Sequence, residues 1–280
     1  MEVFTSVQSL RTYLDLQVTL QKSIGLVPTM GALHEGHITL ITASTKSNDI
    51  TVCTVFVNPT QFNNPEDLLK YPRTLDEDLE MLEKAGCTVV FAPSVEEMYP
   101  EQPVMKFNFG PLETVMEGAS RPGHFNGVGI VVSKLFNMVK PNRAYFGQKD
   151  LQQVAVITRM VKDLSFQLEL VVMPTVREED GLAMSSRNRR LNDKERSIAP
   201  HIYRILESAK NELLAGQSVD DVIESAKKEF SNIHAFTLDY FEIIDRFTLM
   251  PIKTIGPKST NAICIAVFLG PVRLIDNVIF

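Results

Sequence analysis

Cysteine is scarce in this chain: three in 280 residues, at Cys53, Cys87 and Cys264, with no C-x-x-C pair. Scattered and odd in number, they exclude a disulfide or zinc framework and read as reduced, buried thiols. Cys53 and Cys264 lie inside apolar runs, where core packing is their expected role. No apolar run is long enough to span a bilayer, and the opening MEVFTSVQSLRTYL has no apolar signal core. A cytoplasmic protein without a membrane partner is therefore expected. Positive charge is not in excess either. The formal net charge of -6 argues against a general nucleic-acid binder, while leaving room for a local basic pocket. Internal repeats, low-complexity tracts and an H-E-x-x-H pattern are also missing. What remains is ordinary for a globular chain, 44% hydrophobic and 22% charged, long enough for two modest domains or one large domain with an appendage.

Strand-like and helix-like stretches alternate through the first part. Ser23 to Thr29, Asp49 to Asn58 and Thr88 to Ala92 read as strands, with helical patterns at His34 to Lys46 and Leu75 to Ala85 between them. Gly86 stands where a helix-ending glycine belongs. The rhythm resumes with a helix from Gly129 to Val139, a strand at Ala144 to Phe146, a helix from Leu151 to Lys162 and a strand at Leu168 to Met173. Such βα units predict a Rossmann-like parallel sheet, with ligands at the carboxyl ends of its strands. The character changes across Pro174 to Arg190. Helical patterns at Asp193 to Leu214 and Val219 to Phe230, with Ser218 as N-cap, precede strand-like Leu238 to Ile244, Ala262 to Leu269 and Val272 to Ile279. The expectation is an α/β chain with a domain over 1–176 and a smaller α+β domain over 177–280.

Four constellations carry possible chemistry. His34 and His37, in H-x-G-H, lie three apart at a helix start and so project from one face, where backbone N–H groups and the helix dipole favour an anion. Gly31 permits the tight strand-to-helix turn, and Gly36 permits close approach of a nucleotide. The bare string fits two solvated histidines equally well; its place straight after the first strand favours the nucleotide. Phe146-Gly-Gln-Lys149-Asp150 ends another strand and leads into a helix with Gln153. Its lysine suits phosphate oxygens, although a Lys-Asp pair opening a helix is more often a solvated cap. Met184-Ser185-Ser186-Arg187 offers two hydroxyls and a guanidinium fork to a phosphate, or else a capped helix start. Asn58 and Gln61 in FVNPTQF are neutral polar groups beside apolar ones, as a small polar substrate with an alkyl body needs. Phe62 fits the core, and Pro59-Thr60 fits a plain turn. An early H-x-G-H with a Met-Ser loop after the last sheet strand is the layout of class I adenylate-forming enzymes.

The segments VPTMGALHEGH, VFVNPTQF, YPRTLDEDL, RPGHFNGV, FGQKDLQQ and LAMSSRN, in this order, resemble the pantoate–β-alanine ligase (pantothenate synthetase) family. The resemblance implies a two-step reaction. ATP and pantoate give pantoyl adenylate and pyrophosphate; β-alanine then displaces AMP to give pantothenate. It implies an ATP site of Met30, Gly31, Ala32, Leu33, His34, Glu35, Gly36, His37, Gly147, Gln148, Lys149, Asp150, Val176, Met184, Ser185, Ser186 and Arg187. His37 is implied as the general-acid or charge-stabilising group, with His34, Lys149, Ser185, Ser186 and Arg187 beside it in catalysis. Gln61, Gln153 and Asn58 are implied for pantoate, Gln61 also for β-alanine. Magnesium with the ATP, a homodimer, and a hinged C-terminal domain acting as a lid are implied too, with the metal ligands unassigned. Where the synthetase-type K-M-S-K-S loop has lysines, this chain has Ala183 and Ser186, leaving Lys149 and Arg187 as cationic partners. Within Asp76-Glu77-Asp78 a solvated helix face is expected, the alternative being that one of these carboxylates approaches the magnesium. The rival readings are another H-x-G-H nucleotidyltransferase with a phosphorylated acceptor, an aminoacyl-tRNA synthetase fragment, and a nucleotide-sensing module without catalysis. Neutral Gln61 and Gln153 disfavour the first, and the acidic balance disfavours the second.

Overall fold

The computed structural model describes all 280 residues. Strands Glu2–Phe4 (β1), Ile24–Thr29 (β2), Ile50–Val55 (β3), Val89–Phe91 (β4), Arg143–Gly147 (β5) and Glu169–Met173 (β6) form one parallel sheet in the order β1-β4-β3-β2-β5-β6. The helices of this part are Val7–Thr19 (α1), Glu35–Ser47 (α2), Pro65–Lys70 (α3), Leu75–Lys84 (α4), Val95–Met98 (α5), Met116–Ser120 (α6), His124–Val139 (α7) and Leu151–Asp163 (α8). Sequence dictates the central strands. The β-branched run of β3 is buried along nearly its whole length, which a sheet covered on both faces requires. Val27, Leu33, Ile41, Cys53, Leu82 and Tyr145 pack into one core cluster.

Strand order sets the position of the site. The chain runs outward from β2 through β3 to β4, then returns to lay β5 against the other side of β2, with Gly25 opposite Arg143 and Leu26 opposite Ala144. The direction of winding therefore reverses between β2 and β5. Loops leaving adjacent carboxyl ends at such a reversal diverge and open a crevice. The H-x-G-H segment leaves β2, and Gln148-Lys149-Asp150 leaves β5.

The chain divides into two compact units, one of residues 1–148 with 156–174, the other of 149–155 with 175–280. The second contains helices Asp193–Ile198 (α9), His201–Leu214 (α10) and Val219–Asn232 (α11), then an antiparallel sheet of Phe236–Asp245 (β7), Asn261–Leu269 (β8) and Val272–Ile279 (β9). Its core gathers Ile202, Leu206, Phe230, Ile243, Ile263 and Ile265. Ser218 caps α11 by accepting from the Asp221 N–H at 3.1 Å.

The strand foreseen over Asp49 to Asn58 stops at Val55, and two expected helices differ. The helix foreseen over Asp193 to Leu214 is two, broken at Ala199-Pro200. Pro200 has no N–H to donate and its ring crowds the preceding turn. Helix α7 begins at His124 instead of Gly129, directly after Gly123 at φ 82. All three cysteines are buried, and burial pushes the Cys87 thiol up to about 11 and Cys53 well above its usual range. No helix is long and apolar enough to cross a membrane.

Candidate active site

The turn after β2 is built from its own side chains. Gly31 (φ 79) and Ala32 (φ 51) are both left-handed, so the N–H groups of consecutive residues converge. Thr29 Oγ1 accepts from Gly31 at 3.2 Å and itself donates to the Thr54 carbonyl at 2.6 Å on β3. Asp78 takes the next two, with Oδ2 accepting from Ala32 at 2.9 Å and Oδ1 from Leu33 at 2.8 Å. A Cβ on Gly31 would stand 3.0 Å from Asp78 Oδ2 and from Val55 Cγ1, a tight contact that adds to the preference for glycine at this φ.

His34 is the N-cap of α2. Its Nδ1 accepts from the Gly36 N–H at 3.1 Å, and His37 Nδ1 accepts from the His34 N–H at 3.3 Å. The two residues form an imidazole version of the capping box. An Nδ1 that accepts a hydrogen bond carries no proton, so in the neutral ring the hydrogen sits on Nε2. Both rings, with centroids 4.1 Å apart, thus carry an Nε2–H donor. The backbone N–H groups of Gly31, Ala32 and Leu33, just ahead of that helix start, already have acceptors within the protein.

The turn after β3 carries the second cluster. Asn58 is buried, and three donors settle its amide orientation: Tyr99 Oη at 2.8 Å, Thr60 Oγ1 at 2.9 Å and the Thr60 N–H at 3.4 Å all point at Oδ1. Its Nδ2 donates to Gln61 Oε1 at 3.0 Å and the Gly127 carbonyl at 3.2 Å. Gln61 is likewise buried, with Nε2 donating toward Met30 Sδ at 3.2 Å. Its backbone carbonyl accepts from His124 Nδ1 at 2.8 Å and from Arg121 Nη2 at 3.5 Å. Helix α7 meets this turn so closely that a Cβ on Gly127 would lie 2.2 Å from the Thr60 carbonyl oxygen. Burial raises the Tyr99 phenol above its ordinary range, which keeps it a donor.

Sequence reasoning misses Asp78, which it places on a solvated face. The residue is 1% exposed, whereas Asp76 and Glu77 are exposed. Asp78 sits four residues before buried Leu82, on the inward stripe of α4, and that spacing is the signal that could have found it. Burial raises its carboxyl above the usual range against the opposing effect of the Leu33 and Ala32 N–H bonds. Tyr99, Arg121 and His124 are likewise without a role in the sequence reading. A cavity of about 270 Å³ at the ends of β3 and β4 has Met30, Gly31 and Asp78 in its wall.

Gly147 and Gln148 belong to the first unit, and the second holds the remaining candidates. Lys149 Nζ lies 3.9 Å from Asp150 Oδ1, and the Lys149 carbonyl accepts from Asn277 Nδ2 at 2.9 Å. Gln153 lies in the first turn of α8. The Met184 N–H donates to the Val176 carbonyl at 3.0 Å, and Ser185 Oγ caps the 3-10 turn Ser186–Arg190 by accepting from the Arg187 N–H at 3.3 Å. The capped-turn reading of Met184–Arg187 is thus real, and it presents Arg187 from a defined backbone.

Similarity to known proteins decides the family. The family model described as pantoate-beta-alanine ligase matches residues 2–279. The chain belongs to the pantoate–β-alanine ligase family. It is an enzyme of the ligase class. It is 50% identical to pantothenate synthetase of Bacteroides fragilis, over 99% of this chain and 98% of that one. The crystal structure of pantothenate synthetase from Thermus thermophilus superposes with a TM-score of 0.93 at 43% identity, covering 99% of both chains. The pantoate-beta-alanine ligase of Francisella tularensis, solved with β-γ ATP and β-alanine, gives a TM-score of 0.82 at 34% identity over 100% of this chain and 97% of that one. The parallel sheet with a small antiparallel C-terminal sheet is accordingly the fold of pantothenate synthetases.

Proposed function

We propose that the chain condenses pantoate with β-alanine in two ATP-dependent steps through pantoyl adenylate. A pantoate carboxylate oxygen bonds to the α-phosphorus of ATP, and the bond to the bridging oxygen breaks to release pyrophosphate. The β-alanine amine then attacks the acyl carbon, the acyl–oxygen bond breaks toward AMP, and the amine loses a proton to leave pantothenate. The observation that carries this reading is the paired imidazoles of His34 and His37, each with Nδ1 taken by a backbone N–H of its own turn. Two donors held in advance stabilise charge gathering on the leaving pyrophosphate without reorganising. Lys149 and Arg187 add cationic partners, and Ser185 and Ser186 add hydroxyls to the phosphates. Met30 to His37, Gly147 to Asp150, Val176 and Met184 to Arg187 form the ATP site.

Gln61, its side chain oriented by Asn58, and Gln153 hold pantoate; Gln61 also meets β-alanine. A neutral amide binds the pantoate hydroxyls without trapping its carboxylate as an arginine would. No group of three His, Cys, Asp or Glu side chains could cage a metal ion. Magnesium travels with the ATP phosphates and water, as its reluctance to dehydrate favours. The smaller C-terminal domain acts as a lid that keeps the reactive mixed anhydride from water. The working form is a cytoplasmic homodimer. The Francisella relative, solved with β-γ ATP and β-alanine, supports the pairing of substrates.

The test measures pyrophosphate and AMP release from ATP and pantoate, with and without β-alanine. Pantoate-dependent pyrophosphate without β-alanine is expected, with AMP appearing in solution on its addition. Pyrophosphate release that requires β-alanine from the start would remove the adenylate from the scheme.

A further inference from the structure

We propose that Asp78 is a positioning residue for adenylation, an internal anion that fills the left-handed turn at Gly31-Ala32 and so sets the orientation of His34 and His37. The inference rests on the adenylating reading above. A carboxylate beside a triphosphate site is adverse on charge alone, which makes its placement informative. Asp78 is 1% exposed, and both oxygens are spent on the turn. Thr74 Oγ1 donates to Oδ1 at 3.3 Å as well. The turn needs such an anchor. A non-glycine residue such as Ala32, at φ 51, is held there only when its surroundings fix it. Two convergent N–H groups without an acceptor would bind water or a phosphate oxygen and draw the loop out of register.

The geometry separates two tasks that a phosphate loop usually combines. In a glycine-rich phosphate loop the backbone N–H groups hold the anion directly. Here the N–H groups of Ala32 and Leu33 hold Asp78, and the loop is closed before any ligand arrives. The next residue, His34, gives its N–H to His37 Nδ1, so the histidine pair begins where the Asp78 bonds end. Meeting phosphate falls to the side chains of that pair, not to the backbone of the turn. A shift in the turn moves both imidazoles together.

Asp78→Asn is the decisive variant, because it keeps size and turns one acceptor into a donor facing an N–H. Pantoate-dependent pyrophosphate exchange should fall about 10²-fold in kcat, the scale of a displacement near 1 Å at reacting groups, with a thermal transition still cooperative. Amide exchange at Ala32 and Leu33 should accelerate while β3 and β4 stay protected. A merely structural loss would multiply with any other defect; a positioning loss should not. In a His37→Ala background, Asp78→Asn should therefore add less than about 3-fold, as residues acting as a unit do. Glu77→Gln, the exposed neighbour, should leave exchange unchanged. If Asp78→Asn does not fold, Asp78→Glu, which retains the charge but lengthens the arm, is judged by the same criteria. Wild-type kcat in a folded variant, full additivity with His37→Ala, or unaltered exchange at Ala32 and Leu33 would each overturn the proposal. Should the wild-type chain itself show no pantoate-dependent exchange, the adenylating reading fails, and the amide measurements alone decide whether Asp78 holds the turn.

Discussion

The two units hold their candidate residues by different physics. In the first, Thr29, Asn58, Gln61 and Asp78 are all buried, and their polar atoms join strand ends, turns and α7 through short bonds. In the second, support centres on one buried ion pair. Arg177 makes a bidentate contact to Asp276 at 2.7 and 3.0 Å, donates to the carbonyls of Gly181 at 3.1 Å and Asn277 at 3.2 Å, and stacks over Tyr203. Asn277 in turn holds the Lys149 carbonyl. A network of many hydrogen bonds distributes its cost, whereas a buried charge pair concentrates it in two groups. The first arrangement should resist single substitutions better, and the second should fail abruptly.

Arg177→Met tests the abrupt case and should have the largest effect on stability. Asp276 is 4% exposed and would lose the partner that offsets the burial of its carboxylate, leaving it an unpaired charge or forcing it to take up a proton. Removing one member of a buried pair costs about 3–5 kcal/mol. Chemical denaturation should show the second unit unfolding first, at a lower midpoint, while the first keeps its transition. A single unshifted transition would show that the pair contributes little, and the contrast between the units would collapse.

His37→Ala tests function without touching the buried network. Turnover should fall about 10²–10³-fold, the usual loss for one donor aimed at developing charge, with the fold intact. The bond from the His34 N–H would be lost at the same time, but it lies at a partly exposed helix start where water substitutes. Near-normal pyrophosphate exchange in this variant would remove His37 from the mechanism.

What is legible in the sequence follows the same division. Strand β9 spans Val272–Ile279 as expected, since Gly270-Pro271 punctuates it and apolar residues dominate the run. The β2-turn-α2 unit is legible because glycine and a histidine cap mark it locally. Strand β1 and helix α1 escape notice: three residues carry too little pattern, and β1 exists only through its register with β4. Helix α7 is read as starting late because Gly127 and Gly129 weaken its helical signal, although Gly127 is needed where Thr60 approaches. Asp78 is hidden by company. Within Asp76-Glu77-Asp78 the side chains are chemically alike, and only the stripe shared with Leu82 separates the buried one from the two in water. Contacts made across 45 positions, such as Asp78 to Leu33, have no local signature at all.

Tyr99→Phe probes the distributed case, and its effect should be the smallest. The phenol gives one of three bonds reaching Asn58 Oδ1; Thr60 supplies the other two through its hydroxyl and N–H. Losing a neutral bond of this kind costs about 1 kcal/mol net, and the carboxamide keeps its orientation because two donors remain. Asn58 Nδ2 should still hold Gln61 Oε1, so the KM for pantoate should rise only a few-fold, about the factor of 5 that 1 kcal/mol represents, with kcat nearly unchanged. Asn58→Ala removes the shared member and should cost far more than Tyr99→Phe in the same assay. Equal losses from the two variants would mean that Tyr99 alone orients the amide, and that this part of the first unit is as concentrated as the Arg177–Asp276 pair.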